Sequence, residues 1–191
     1  MMKADGTEWK KERVQCISWY NQSVRKAGDG RSEACKMPIR PLQQGDLDAV
    51  MCLWLTANTQ AHAFIPSGYW HSCMEQVHSA LLRAQVLVYE RAGEIYGFIG
   101  MQKDYIAGLF VERNWRSHGI GHELLRAVKA QHKTLTLSVY EQNEGAMRFY
   151  KREGFVVVRT QPDMDTGAIE AVMVWEEERE APDGLAKRET R

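Results

Sequence analysis

The chain has 191 residues, 44% of them hydrophobic, which is enough for one domain with a single substantial core. Its formal net charge is zero, so it lacks the basic field that would by itself argue for nucleic acid or an anionic membrane surface. Cys16, Cys35, Cys52 and Cys73 lie far apart with no CxxC pair, which fits neither a zinc site nor a disulfide-dense secreted scaffold and reads as reduced thiols in a cytoplasmic protein.

Residues 1–37 carry eight Lys or Arg against five Asp or Glu, an excess of three, with little apolar periodicity and the turn-forming run Ala27-Gly28-Asp29-Gly30. A flexible extension is expected there. Trp9, Trp19 and Tyr20 sit among its basic residues, but so small a charge excess argues against a nucleic-acid partner. Met37 directly precedes Pro38, where patterning begins, and fits an alternative start as well as a linker. The chain has no apolar run near the roughly 20 residues of a membrane span and no signal-like apolar segment at its start, so no membrane partner is expected.

The patterned region is 38–175. A short strand at 39–42 leads to Asp46, placed to cap a helix whose Leu47, Val50, Met51, Trp54 and Leu55 recur at helical spacing. Trp70, Cys73, Met74, Val77 and Leu81 predict a second helix. The period then changes: runs at 86–89 and 95–101, separated by Arg91-Ala92-Gly93-Glu94, predict a hairpin, and 105–111 extends the antiparallel sheet. A helix bearing Ile120, Leu124, Leu125 and Val128 and a strand at 135–140 follow, the two flanking strands being parallel neighbours across the helix. Asn143 starts a last helix, Gly154 ends it, and 155–160 with 169–175 close a hairpin. The expected fold class is α/β, a mixed, mostly antiparallel sheet with one parallel pair and helices on both faces. Residues 176–191 form a polar tail with too few apolar groups to add to a core.

Strand 105–111 passes into a helix through Arg116-Ser117-His118-Gly119-Ile120-Gly121. Two glycines let backbone N–H groups turn toward a ligand, and a helix N-terminus leaves up to four such groups unpaired beside a partial positive charge. Arg116 adds a fork of donors, so the turn reads as a phosphate cradle, with a plain tight connection as the alternative. A dinucleotide fingerprint needs a third glycine and a Walker loop needs GK[ST]; neither is present.

This turn after the strand Y-I-A-G-L-F-V resembles the acetyl-CoA motif of the GNAT superfamily, and residues 138–155, S-V-Y-E-Q-N-E-G-A-M-R-F-Y-K-R-E-G-F, resemble its second motif. Ala61-His62-Ala63-Phe64-Ile65-Pro66 with Tyr69-Trp70 is similar to small bacterial members of the YiaC and YjaB type. The resemblance implies an acetyl-CoA-dependent N-acetyltransferase acting on a primary amine of a protein or small molecule by direct attack in a ternary complex.

It implies further that the backbone at Phe110 and Val111 binds the acetyl carbonyl, that 116–121 holds the pyrophosphate, that Asn143 contacts cofactor or water, and that Tyr150 is the general acid. Asn143 and Tyr150, seven residues apart, share a helix face. His62, Phe64 and Tyr69 are expected on the acceptor side, beside Trp70, for which packing on the helix's apolar stripe is the plainer role. Glu112, His62 and Glu141 are base candidates. His71 with His78 and His118 with His122 lack a ligand pattern, so no metal is expected. A homodimer is an expectation carried over from the family, and a non-catalytic acetyl-CoA sensor is the alternative function.

Overall fold

Alternating apolar side chains in short runs build the strands, and apolar residues three and four apart build the helices that cover them. The computed structural model describes residues 38–177. The expected extension at 1–37, including Met37 and the aromatic set Trp9, Trp19 and Tyr20, lies outside the described residues, as do residues 178–191 of the expected tail.

In chain order the elements are β1 (Ile39–Pro41), α1 (Leu47–Ala61), α2 (Ser67–Ser72), α3 (Met74–Leu81), β2 (Gln85–Arg91), β3 (Glu94–Gln102) and β4 (Tyr105–Val111). After β4 come α4 (Ile120–Lys129), β5 (Thr134–Tyr140), α5 (Glu144–Arg152), β6 (Val156–Pro162) and β7 (Ile169–Glu176). The strands form one seven-stranded sheet in the order β1-β2-β3-β4-β5-β7-β6, antiparallel except for the pair β4–β5. The β2–β3 turn falls at Ala92 and Gly93, whose φ of 53° and 80° suit the tight hairpin that the sequence predicts.

Strand alternation divides the core between the two faces. On β3, Ile99 and Met101 join Leu124, Leu125 and Val128 of α4 and Leu135, Leu137 and Val139 of β5, while Phe98 points oppositely to meet Val50, Met51 and Trp54 of α1. Helices α4 and α5 therefore pack on one face and α1 to α3 on the other.

Three local expectations change. Asp46 precedes α1 but makes no side-chain cap to it; its carboxylate instead accepts from the Gln43 N–H and from Arg40, which also donates to Glu90 of β2. A guanidinium beside two carboxylates outcompetes a neutral amide for the Asp46 oxygens, and it holds the Asp46 carboxyl below its usual range. The predicted second helix is two, α2 and α3, which meet at Cys73, itself in a right-handed helical conformation, and both put apolar residues into the same core cluster. Cys73 is free, whereas Cys52 has a partner, so the reading of all four cysteines as free thiols is not upheld at Cys52.

The feature that positions a site is the departure of β4 from β5. The two strands are in register only at Tyr105↔Thr136 and Ile106↔Leu137, although β4 continues to Val111. The register between β3 and β4 also shifts here, Gly100 facing Gly108 and Met101 facing Ile106, so Ala107 is an extra residue on β4. A bulge kinks and twists its strand. Beyond it, β4 and β5 part without further pairing, which leaves the β5 side of β4 without a strand partner.

Candidate active site

The turn that follows β4 leaves its backbone donors unpaired among the described residues. Glu112 accepts a hydrogen bond from the Asn114 N–H at 2.8 Å, capping a short 3-10 turn at Arg113–Trp115, and Arg116 Nε donates to the Val111 carbonyl at 3.1 Å. The chain then takes left-handed φ values at Ser117 (65°) and Gly119 (87°) before α4 begins. Alternating handedness of this kind turns successive N–H groups to one side. None of the N–H groups of residues 117–122 finds an acceptor among the described residues; the first bond of α4 is Glu123 N–H to Gly119 O.

Gly119 has open space where a Cβ would stand, while at Gly121 a Cβ would come within 3.3 Å of the Phe149 ring and 3.5 Å of Leu109. The two glycines thus serve different purposes: Gly119 supplies the backbone geometry of the cradle and Gly121 lets α4 lie against α5. The Ile120 side chain turns inward and is buried. His118 and Arg116 are exposed, the His118 ring bonded through Nδ1 to the Arg116 carbonyl. Free donors, an open approach and a guanidinium with its terminal nitrogens uncommitted fit a pyrophosphate.

Phe110 and Val111 end β4 beside the cleft. The Phe110 ring stacks on Phe98 at 4.9 Å and lies over Gly108, where a Cβ would be 2.4 Å from it. The side chain is thereby packed on the α1 face, and the backbone is what these two residues can offer a ligand.

Tyr150 lies on α5, with its ring buried between Phe149 and Phe155 at centroid distances of 5.1 and 5.5 Å. Its hydroxyl has no hydrogen-bond partner among the described residues and is not sealed from the surface. Burial, with a smaller contribution from Tyr105, pushes the phenol above its ordinary range, so it is protonated throughout the neutral region.

Asn143 caps α5. Its Oδ1 accepts from the Ala146 N–H at 3.2 Å, and its Nδ2 meets His62 Nε2 at 3.1 Å, joining residues 81 apart in the chain. The cap fixes which end of the amide is oxygen, so Nδ2 is the donor and His62 Nε2 the acceptor. The His62 proton then sits on Nδ1, which is buried without a partner. An unmet buried donor costs about 1–3 kcal/mol, and burial also drives the imidazole pKa down to about 4.

Around His62 stand Phe64 at 5.7 Å, Trp70 at 5.3 Å and Tyr140 at 5.1 Å, with Tyr69 packed on Trp70 at 5.0 Å. This is the aromatic wall that the sequence predicts, and Trp70 is buried in it as a packing residue. The Tyr69 phenol is raised to about 12 by burial first, then by Cys73, Asp165 and Asp163.

Sequence reasoning missed Tyr140, Asp163 and Thr166. The Tyr140 hydroxyl donates to Asp163 Oδ2, which also accepts from Thr166 Oγ1 at 2.9 Å, and the Asp165 N–H donates to Asp163 Oδ1 at 3.0 Å. Burial alone would raise the Asp163 carboxyl, but these bonds hold it below its usual range. The Asp-x-x-Thr spacing signals a structured turn, yet nothing local says that the end of β5 will supply the phenol. The base candidates are not equivalent: the Glu112 carboxylate caps a turn, His62 is tied to Asn143, and the Glu141 side chain is exposed with no bond. No group of three His, Cys, Asp or Glu side chains able to hold a metal occurs among the described residues. None of their helices is long and apolar enough to cross a membrane.

These features agree with what known proteins show. A family model for the acetyltransferase (GNAT) domain matches residues 57–176. The peptidyl-lysine N-acetyltransferase YiaC of Escherichia coli is 35% identical over 139 residues, 72% of this chain and 95% of that protein. The peptidyl-lysine N-acetyltransferase YjaB of the same organism is 30% identical over 121 residues, 62% of this chain and 82% of its own. The apo-form solution structure of E. coli YjaB superposes with a TM-score of 0.64 at 24% identity, covering 71% and 95% of the two chains. PaiA N-acetyltransferase of Thermoplasma acidophilum, solved in complex with coenzyme A, gives 0.61 at 19% identity over 73% and 98%. With both motifs, the parted parallel pair and relatives named as enzymes, catalysis is favoured over the sensor alternative, and the chain belongs to the GNAT family of acetyl-CoA-dependent N-acetyltransferases.

Proposed function

We propose that this enzyme acetylates lysine side chains of proteins or peptides, with the cofactor pyrophosphate on the amides of 117–122 and Arg116, and with Tyr150 as the proton donor. The observation that carries the reading is the run of unpartnered N–H groups at the mouth of the β4–β5 cleft. Acetyl-CoA supplies the acetyl group as a thioester. Of Phe110 and Val111, it is Val111 that turns its N–H to the side parted from β5, because Glu112 N–H bonds Tyr96 on β3 and backbone direction alternates, and this donor stands where negative charge grows on the acetyl oxygen. The Tyr150 hydroxyl, protonated and uncommitted, donates to the departing sulfur. Asn143 keeps one amide hydrogen for cofactor or water after its two internal bonds.

A lysine acceptor is supported by the names of the two E. coli relatives and by Asp163 and Asp165 beside the aromatic wall, which favour an approaching ammonium group. With Glu112 and His62 committed elsewhere, Glu141 or water takes the amine proton. Dependence on acetyl-CoA supports a cytoplasmic location. The apolar edge strand β6, with Val156 62% and Val158 55% exposed, supports a homodimer paired through the sheet.

Calorimetry with acetyl-CoA and NADH, followed by thiol release with a lysine peptide, tests the assignment. Gly119→Glu places a side chain and a negative charge in the cradle, and should weaken acetyl-CoA binding by ~30-fold or more while NADH stays inert. A folded wild type that binds no acetyl-CoA would return the turn to a structural connection.

A further inference from the structure

The bridge between His62 and Asn143 joins the end of α1 to the start of α5, yet it is an expensive way to hold a fold together. His62 ends α1 as its C-cap residue, on the acceptor wall, and its N–H and C=O are already spent on the Asn58 carbonyl and the Ile65 N–H. Asn143 starts α5, the helix that carries Tyr150. The imidazole is held neutral, protonated on a nitrogen that meets neither solvent nor partner. A phenylalanine would fill the same aromatic surroundings without leaving an unmet donor. What a phenylalanine lacks is an acceptor for Asn143.

We propose that His62 is a positioning residue whose Nε2 fastens the N-cap of α5 to the acceptor wall, so that the wall and the helix bearing Tyr150 hold one alignment. The assignment rests on Tyr150 as the proton donor and deepens that reading. His62 touches neither cofactor nor reacting atoms in this scheme and acts through Asn143. The ring faces Phe64 from its own loop, Trp70 from α2 and Tyr140 from β5. Tyr140 is the titratable group among these, with Asp163 behind its hydroxyl.

Two variants separate alignment from packing. His62→Phe keeps the volume and removes the acceptor; kcat should fall ~10-fold, while the acetyl-CoA Kd and the acceptor KM stay within about twofold. His62→Gln can place its amide oxygen where Nε2 stood, and should recover kcat to within about threefold of wild type. Wild-type kcat in His62→Phe, or equal losses in both variants, would overturn the proposal. Nitrogen-15 NMR of the wild type supplies a readout without turnover. A neutral imidazole protonated on Nδ1 near pH 6 is expected, and protonation on Nε2 would overturn the bridge.

Asn143→Asp keeps the cap but faces Nε2 with an acceptor, so the imidazole should protonate at a pH well above about 4. An unmoved titration would also overturn the bridge. The NMR results stand whether or not any lysine peptide is a substrate, and loss of activity in Tyr150→Phe tests the donor assignment separately. Failure of the bridge and failure of the catalytic reading are therefore distinguishable.

Discussion

The two sides of the cleft handle their polar groups in opposite ways. On the cofactor side, the backbone N–H groups of 117–122 have no acceptors and the Tyr150 hydroxyl has no partner. Around the aromatic wall, the amide, hydroxyl and carboxylate groups are committed to one another, Asn143 to His62, Tyr140 and Thr166 to Asp163, and Asp163 also to the Asp165 N–H, while the ring N–H groups of His62 and Trp70 are buried without partners. A side that leaves its donors unpaired is preorganised for a ligand of fixed chemistry, because the ligand completes what folding leaves open. A wall of rings whose carboxylate, amide and hydroxyl groups are already paired offers a ligand contour and charge rather than a run of free backbone donors.

The comparison breaks most sharply at Tyr150. Tyr150→Phe removes one oxygen from a ring that stays packed between Phe149 and Phe155, so folding should be unaffected. Loss of a general acid should lower kcat by ~100-fold, with acetyl-CoA affinity unchanged. Steady-state kinetics beside calorimetry check this, and a kcat within twofold of wild type would move the donor elsewhere.

The two glycines of the turn sharpen the comparison within the cofactor side. Gly121→Val would press a branched side chain on Phe149 and Leu109, where even a Cβ is at 3.3 and 3.5 Å, and should cost about 1–3 kcal/mol of stability. Denaturant unfolding should register that loss, whereas Gly119→Glu should register chiefly in cofactor binding. If the two exchanged behaviours, the division of labour between cradle and helix packing would be wrong.

On the acceptor side, Thr166→Val removes one of the bonds to Asp163 and keeps the volume. With Tyr140 and the Asp165 N–H still in place, the expected change is a rise of ~3-fold in KM for a lysine peptide at constant kcat. A change in kcat alone would place Asp163 nearer the chemistry than the wall.

Legibility from sequence follows the same asymmetry. The β4-turn-α4 unit, the β2–β3 hairpin and the α5 cap could be read because each depends on neighbours in the chain: glycines where φ is positive, an Asn where a helix starts, a change of apolar period. His62, Phe64 and Tyr69 were reached only through resemblance to known enzymes. Their meeting with Asn143 and Tyr140 could not be read at all, since α1, β5 and α5 come together only once the sheet has ordered its strands. Asp46 shows the same limit on a small scale, a good local cap diverted by Arg40, whose position is set by the pairing of β1 with β2. Non-local partners outbid local propensity wherever a full charge or a buried ring is at stake.

The smallest expected effect concerns His62 and acid. Its folded-state pKa is about 4 against 6.5 for a free imidazole, and burial of the ring is the cause. Between those values the unfolded chain binds a proton that the native state refuses, so the stability contributed by the neutral ring is complete above pH 6.5 and is lost as pH falls toward 4. The ring is only partly enclosed, so the loss of stability is smaller than the full shift would imply. Urea unfolding at several pH values should show wild-type stability falling through this window more steeply than that of His62→Gln, which has nothing to titrate there. Equal slopes would mean that the ring takes up its proton in the native state without losing its place. In that case burial would not be holding the ring neutral, protonation would remove the Nε2 acceptor that Asn143 uses, and the coupling of acceptor wall to catalytic helix would rest on packing of the aromatic rings alone.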